Sequence, residues 1–225
     1  MCIRDRQYAE DGYMRDALMN HLVRLGWSHG DQEVFSEQEM LKLFNLNGVN
    51  KSGAVFDVKK LDWLNQQYLQ SAPAEDLATG LREHLNNAGV VTDGGPELSV
   101  VADLLRDRAK TFTEMAMGAK PFYEAPSEYD AKAVKKQFSA DAGARLQVVH
   151  DKLAQLENFQ PETIDACLQE TVKELDVGFG KIGLPLRVAV TGNTASPALD
   201  RTLSVMGRDT VLQRLVAAVQ YCQSL

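Results

Sequence analysis

Arginine is the side chain here best suited to specific recognition, because its rigid, permanently charged fork makes paired hydrogen bonds to phosphates and base edges. Two places present it suggestively. Arg106 and Arg108, with Lys110, gather positive charge beside Thr111, and Arg187 follows Pro185 and Leu186. Taken alone, each such arginine is more often a solvated surface charge. Gly178, Gly180 and Gly183 have the G-x-G-x-x-G spacing of a dinucleotide loop, but that loop must follow a strand, and Leu175 to Val177 make a poor one. A helix end followed by a tight turn is the better reading. His21, His29, His84 and His150 are scattered, and no Ser or Cys stands in a G-x-S-x-G or comparable nucleophile setting. His29 and Asp31 flank Gly30, a pattern that a hydrogen-bonded turn needs as much as a catalytic pair would. The residues therefore show no catalytic set.

Cys2, Cys167 and Cys222 lack C-x-x-C spacing and any nearby histidine cluster, which predicts reduced thiols and no metal site. The formal net charge of −7 counts against a simple polyanion binder, although an acidic protein can still gather its Lys and Arg on one face. No run approaches the roughly 18 apolar residues needed to cross a bilayer, and the first residues lack the apolar core of a signal peptide, so a cytoplasmic protein is expected.

The elements that must position these residues are helices. Apolar residues recur at helical spacing from Asp11 to Leu25, and Ser36 with Glu39 has capping-box form ahead of Met40, Leu41, Leu43 and Phe44. After a loop at 47–53, Asp57 caps a helix carrying Leu61, Trp63, Leu64 and Tyr68, with Trp27 and Trp63 both expected in the core. Ser71 to Glu75 reads as a joint. Beyond it the pattern predicts helices over 74–88 and, after a turn at 92–96, over 97–116, with Gly118 and Pro121 closing that unit. Further helices are expected over 131–138, 142–156, 161–175 and 210–222, and Leu186 to Val190 is read as helical despite its β-branched residues. The fold class is all-α.

Four segments resemble one family. YMRDALMNHLVRLGWSHGDQEVF, from Tyr13 to Phe35, resembles the stretch after the catalytic lysine loop of bacterial-type, class I glutamyl-tRNA synthetases, and NKSGAVFDVKKLDWLN, from Asn50 to Asn65, resembles that family's next block, part of which glutaminyl relatives share. RAKTFTEM, from Arg108, is similar to a further motif of that family. LRVAVTG, from Leu186 to Gly192, together with SPAL, from Ser196 to Leu199, resembles its helical anticodon domain and not the β-barrels of the glutaminyl relatives. The glutamyl-queuosine paralogue lacks this region altogether.

The resemblance runs from about Gln7 to the C-terminus and implies a stem-contact helical region over 1–72 followed by an anticodon-binding domain over 73–225, in two helical subdomains, 73–120 and 121–225. It implies anticodon-binding roles for Arg108, Arg187, Ser196, Pro197 and Leu199. The family's H-I-G-H and K-M-S-K-S strings do not occur in the sequence, so no catalytic residue is expected. ATP with Mg is expected only in a separate catalytic domain, and this chain alone is expected to be inactive. The implied partners are tRNA(Glu) and the catalytic domain of a parent chain, the parent acting as a monomer. A free-standing helical module that binds tRNA or a protein partner is the alternative.

Overall fold

A computed structural model describes residues 5–50 and 53–225; Cys2, and Lys51 and Ser52 of the expected 47–53 loop, lie outside them. Among the described residues there are α-helices, one 3-10 turn at Leu46–Gly48 and no strand. The helices are α1 (Asp5–Glu10), α2 (Arg15–Arg24), α3 (Glu37–Leu43), α4 (Val58–Ser71), α5 (Ala74–Asn87), α6 (Leu98–Leu105) and α7 (Phe112–Tyr123). Then come α8 (Ala131–Gln137), α9 (Ala140–Ala154), α10 (Pro161–Glu174), α11 (Gly180–Thr191), α12 (Leu199–Met206) and α13 (Arg208–Gln223). The all-α expectation is met.

Local chemistry starts several of these helices where the sequence places a cap. Ser36 Oγ accepts from the Glu39 N–H at 3.2 Å while a Glu39 carboxylate oxygen accepts from the Ser36 N–H at 2.8 Å, closing the box that opens α3. Asp57, Asp130 and Ser139 accept from backbone N–H groups at the starts of α4, α8 and α9. The 29–32 segment is a turn, with Gly30 at φ +54 and the Gln32 N–H donating to the His29 carbonyl. The Gly178 to Gly183 run opens α11 and follows no strand, as a turn reading requires.

The chain divides into two compact units, one of Met1–Gly89 with Leu105–Met117 and one of Val90–Leu104 with Gly118–Leu225. The joint expected at 71–75 thus falls inside the first unit. His84 of α5 explains this locally: its Nε2 meets the Ala9 carbonyl at 3.1 Å and its ring stacks on Phe112, whose own ring lies so close over Gly80 that a Cβ there would stand 2.4 Å away.

Two buried asparagines organise the first unit. Asn20 donates to the Glu33 carbonyl and accepts from the Phe35 N–H at 2.7 Å and from the Tyr68 hydroxyl at 2.9 Å, tying the 33–35 segment between α2 and α4. Asn65 accepts from the Met14 N–H at 2.8 Å and donates to the Lys110 carbonyl at 2.5 Å. That second bond helps to end the single helix expected over 97–116, which is instead split. Gln66 donates to Asp107, Arg106 donates to the Gln70 and Ala72 carbonyls, and Thr111 with Glu114 caps α7 afresh. Backbone groups of 107–111 find their partners outside a continuous helix. Gly118 and Pro121 both lie within α7, and the division between the two units falls inside that helix, between Met117 and Gly118.

The second unit centres on α9, α10, α11 and α13, whose Leu146, Val149, Leu153, Leu168, Leu186 and Leu215 are at most 1% exposed. Gly143 allows the close approach of α9 to α13, because a Cβ there would stand 2.9 Å from Cys222 Cβ. Cys167 and Cys222 are free, buried thiols, pushed above the ordinary thiol pKa by burial. Pro185 inside α11 cannot donate to the Lys181 carbonyl one turn back, and Arg145 Nε does so instead at 3.2 Å. Arg214 of α13 is 6% exposed and donates to the carbonyls of Pro121 at 2.5 Å, Val190 at 2.5 Å and Glu124 at 3.0 Å. Burial lowers its pKa, and the carbonyl ends of α7 and α11 supply the compensating negative potential.

The tryptophans separate. Trp27 is 2% exposed against Phe35 and Phe44, whereas Trp63 is 39% exposed with Lys60 Nζ 4.4 Å above its ring, because it sits on the face of α4 opposite Leu61 and Leu64. Trp27→Ala is expected to cost about 3–5 kcal/mol and Trp63→Ala about 1 kcal/mol or less; denaturation midpoints measure both. Arg214→Met, of similar length, is expected to cost about 1–3 kcal/mol for each carbonyl left without a donor, and Arg214→Lys to rescue only part. Equal midpoints for Arg214→Met and the parent sequence would show that the carbonyls find other donors.

Candidate nucleic-acid interface

Arg187 stands at the C-terminal half of α11, the helix whose end Arg214 holds through the Val190 carbonyl. Gly192 terminates it with φ +83, a left-handed conformation that suits glycine, and a Cβ there would stand 2.9 Å from Pro126. The Gly192 carbonyl accepts from the Asp130 N–H at 2.9 Å, which places the start of α8 beside the end of α11. The chain then turns through 193–198, where Asn193 Oδ1 accepts from the Ala195 N–H at 2.8 Å.

Arg187 reaches across this turn. Its Nη1 donates to the Ser196 carbonyl at 2.8 Å and the Pro197 carbonyl at 2.7 Å, and it also meets Ser196 Oγ. Thr191 Oγ1 donates to the Arg187 carbonyl at 2.8 Å. Three of the expected site residues, Arg187, Ser196 and Pro197, therefore form one hydrogen-bonded node. Leu199 adjoins it at the start of α12 but is only 5% exposed, so it packs beneath the loop and offers no surface to a base. Pro197 is buried too, while Asn193, Thr194, Ala195 and Ala198 are exposed. Arg108 belongs to the other compact unit, where it is exposed in the turn between α6 and α7; its neighbour Arg106 is spent on the end of α4.

Sequence reasoning passed over Lys132, Lys135 and Lys136, all exposed on α8, which packs against α11. The signal was present as a K-x-x-K-K run at helical spacing, which in isolation reads as a solvated face. The start of α8 lies beside the end of α11, and lysine ammonium groups are suited to phosphates. Among the described residues no group of three or more His, Cys, Asp or Glu side chains is placed to hold a metal ion.

Residues 62–219 match the family model of the anticodon binding domain, and residues 1–63 match that of the catalytic domain of class I tRNA synthetases (E and Q). The two matches meet inside α4, and the second begins ahead of Gln7. A glutamate tRNA ligase from Elizabethkingia meningosepticum, solved in complex with its amino acid, is 30% identical with a TM-score of 0.84. A glutamate-tRNA synthetase from Elizabethkingia anophelis is 30% identical with a TM-score of 0.80. In both cases the likeness covers 95% of this chain and 42% of the other, so the chain spans less than half the length of these relatives. The anticodon-binding match over most of the sequence, the short catalytic-domain match before it and the shared helical fold show that the chain belongs to the glutamate tRNA ligase family of class I tRNA synthetases.

Proposed function

We propose that this chain is the tRNA-binding part of a cytoplasmic ligase that attaches glutamate to tRNA(Glu), and that its second unit takes the anticodon arm. The observation that carries the reading is the node of Arg187, Ser196 and Pro197 beneath an exposed loop, with the lysine-bearing α8 packed against the same helix. A loop already held by the scaffold loses little conformational entropy on docking. Lysine supplies charge to phosphates without reading sequence, and the loop with Arg187 supplies the shape and donors against which an anticodon base is discriminated. Arg108 contributes a further exposed cation from the first unit. Activation of glutamate with ATP and Mg belongs to a catalytic domain bearing the H-I-G-H and K-M-S-K-S strings, joined in the same parent chain.

The test separates the two kinds of interaction. Arg187→Ala, placed in a glutamate-charging parent, is expected to lose about 1–3 kcal/mol of discrimination between cognate and anticodon-mutated tRNA(Glu), read from charging rates. Replacing Lys132, Lys135 and Lys136 by Ala is expected to weaken all tRNAs alike. It should also flatten the salt dependence of binding by about 0.7–0.9 in log–log slope for each phosphate that is no longer neutralised. Unchanged anticodon preference in the arginine variant would leave Arg187 a purely structural staple, and an unchanged salt slope would remove α8 from the interface.

A further inference from the structure

A pocket of about 320 Å³ opens in the first unit, lined by residues of α2, the 54–57 segment and α4. At its wall His21 is 4% exposed, and neither its Nε2 nor Nη1 of Arg24 has a hydrogen-bond partner among the described residues. Two buried nitrogens without partners are costly unless something fills the space between them. The other charged groups of the lining are paired, although Glu33 Oε2, in an ion pair with Lys60, likewise makes no well-aligned hydrogen bond. Glu33 bridges Lys60 Nζ at 2.8 Å and Arg24 Nη2 at 3.1 Å, which holds its carboxyl below the usual range, and Asp57 caps α4. Burial keeps His21 below the ordinary imidazole pKa, Asp57 opposing and Lys60 reinforcing the shift, so at neutral pH the ring is uncharged.

The chemistry of the lining selects among ligands. Arg24 and Lys60 are balanced by Glu33 and Asp57, so the pocket offers an anion no net attraction. Leu25, Val55 and Leu64 give it an apolar side, and Arg24 Nη1 calls for an acceptor while His21 Nε2 takes an acceptor or a donor according to tautomer. A flat, neutral ring with donors and acceptors along one edge meets all of these demands. The volume lies at the lower end of the range of about 300–1,000 Å³ for small-ligand sites.

We infer that this pocket receives one unstacked nucleobase, held at its edge by Arg24 Nη1 and His21 Nε2, and that in the bound complex the base comes from the tRNA. Unpaired bases splayed from RNA are recognised in this way, by edge hydrogen bonds and packing on their faces. The inference rests on the tRNA-binding reading, and the test distinguishes failure of either.

The full chain, with its histidines labelled in ¹⁵N, is titrated with a tRNA(Glu) transcript, with the four free ribonucleosides and with inorganic phosphate. Binding of the transcript is measured separately by filter retention. The expected result is tRNA binding with a displaced His21 Nε2 resonance, a smaller displacement by at least one nucleoside at high concentration, and none by phosphate. Ala54→Trp, at an exposed position whose indole blocks the pocket mouth, is expected to weaken tRNA binding about tenfold and to abolish the nucleoside effect. Retained tRNA with an unmoved His21 resonance and unchanged affinity in Ala54→Trp overturns the inference and leaves the tRNA-binding reading standing. A His21 resonance displaced by phosphate but by no nucleoside overturns it in favour of an anion site. Absence of any tRNA retention defeats the tRNA-binding reading itself.

Discussion

A guanidinium buried without a carboxylate is the constraint around which the second unit is arranged. Arg214 replaces its hydration with the carbonyls of Pro121, Glu124 and Val190, at the C-terminal ends of two helices whose dipoles favour a cation. Those carbonyls would otherwise be orphaned, since a helix end has no partners of its own for them. Fixing Val190 fixes the last turn of α11, and with it Arg187 and the left-handed turn at Gly192. The loop that follows inherits its position from a residue far away in sequence, and Arg187 then ties the loop back to the helix. Scaffold and surface are thus joined by two arginines with different tasks, one buried and one at the edge of solvent.

The first unit reaches the same end by neutral groups. Asn20, Asn65 and Tyr68 each satisfy backbone groups of segments that form no regular structure with one another, and Tyr68 is driven up to about pKa 12 chiefly by its burial. Fully satisfied buried polar groups of this kind specify one packing among several of similar apolar content. The turn that carries Arg108 is shaped by Asn65, Gln66 and Thr111, so an exposed cation there is presented by a defined backbone.

Much of this was legible in the sequence where the cause is local. The Ser36 capping box, the Asp57 cap, Pro161 at the head of α10 and the apolar spacing of α2, α4, α5 and α9 all act within a few residues, and their helices lie where those signals put them. The failures have non-local causes. The break between α6 and α7 depends on donors from α4, although Thr111 with Glu114 carried a capping signal that the longer apolar periodicity masked. α12 has no side-chain cap and was missed. Trp63 has the composition of a core residue, but its place on α4 turns it toward Lys60. For the candidate site, the family resemblance points to Arg187, Ser196 and Pro197. That Arg187 bonds to the other two depends on loop closure, which spacing does not reveal, and the role proposed for α8 depends on its packing beside α11.

Loop 193–198 is exposed at its crest, tied at one end by Thr191 Oγ1 to the Asn193 carbonyl and at the other by Arg187 to the Pro197 carbonyl. The most direct test of the account is to place a photoreactive phenylalanine analogue at the exposed position of Thr194, irradiate the complex with tRNA(Glu), and map the crosslinked nucleotides by primer extension. Crosslinks confined to the anticodon loop are the result expected. Crosslinks in the acceptor arm, or none while the tRNA is demonstrably bound, would contradict the placement of the anticodon on this surface.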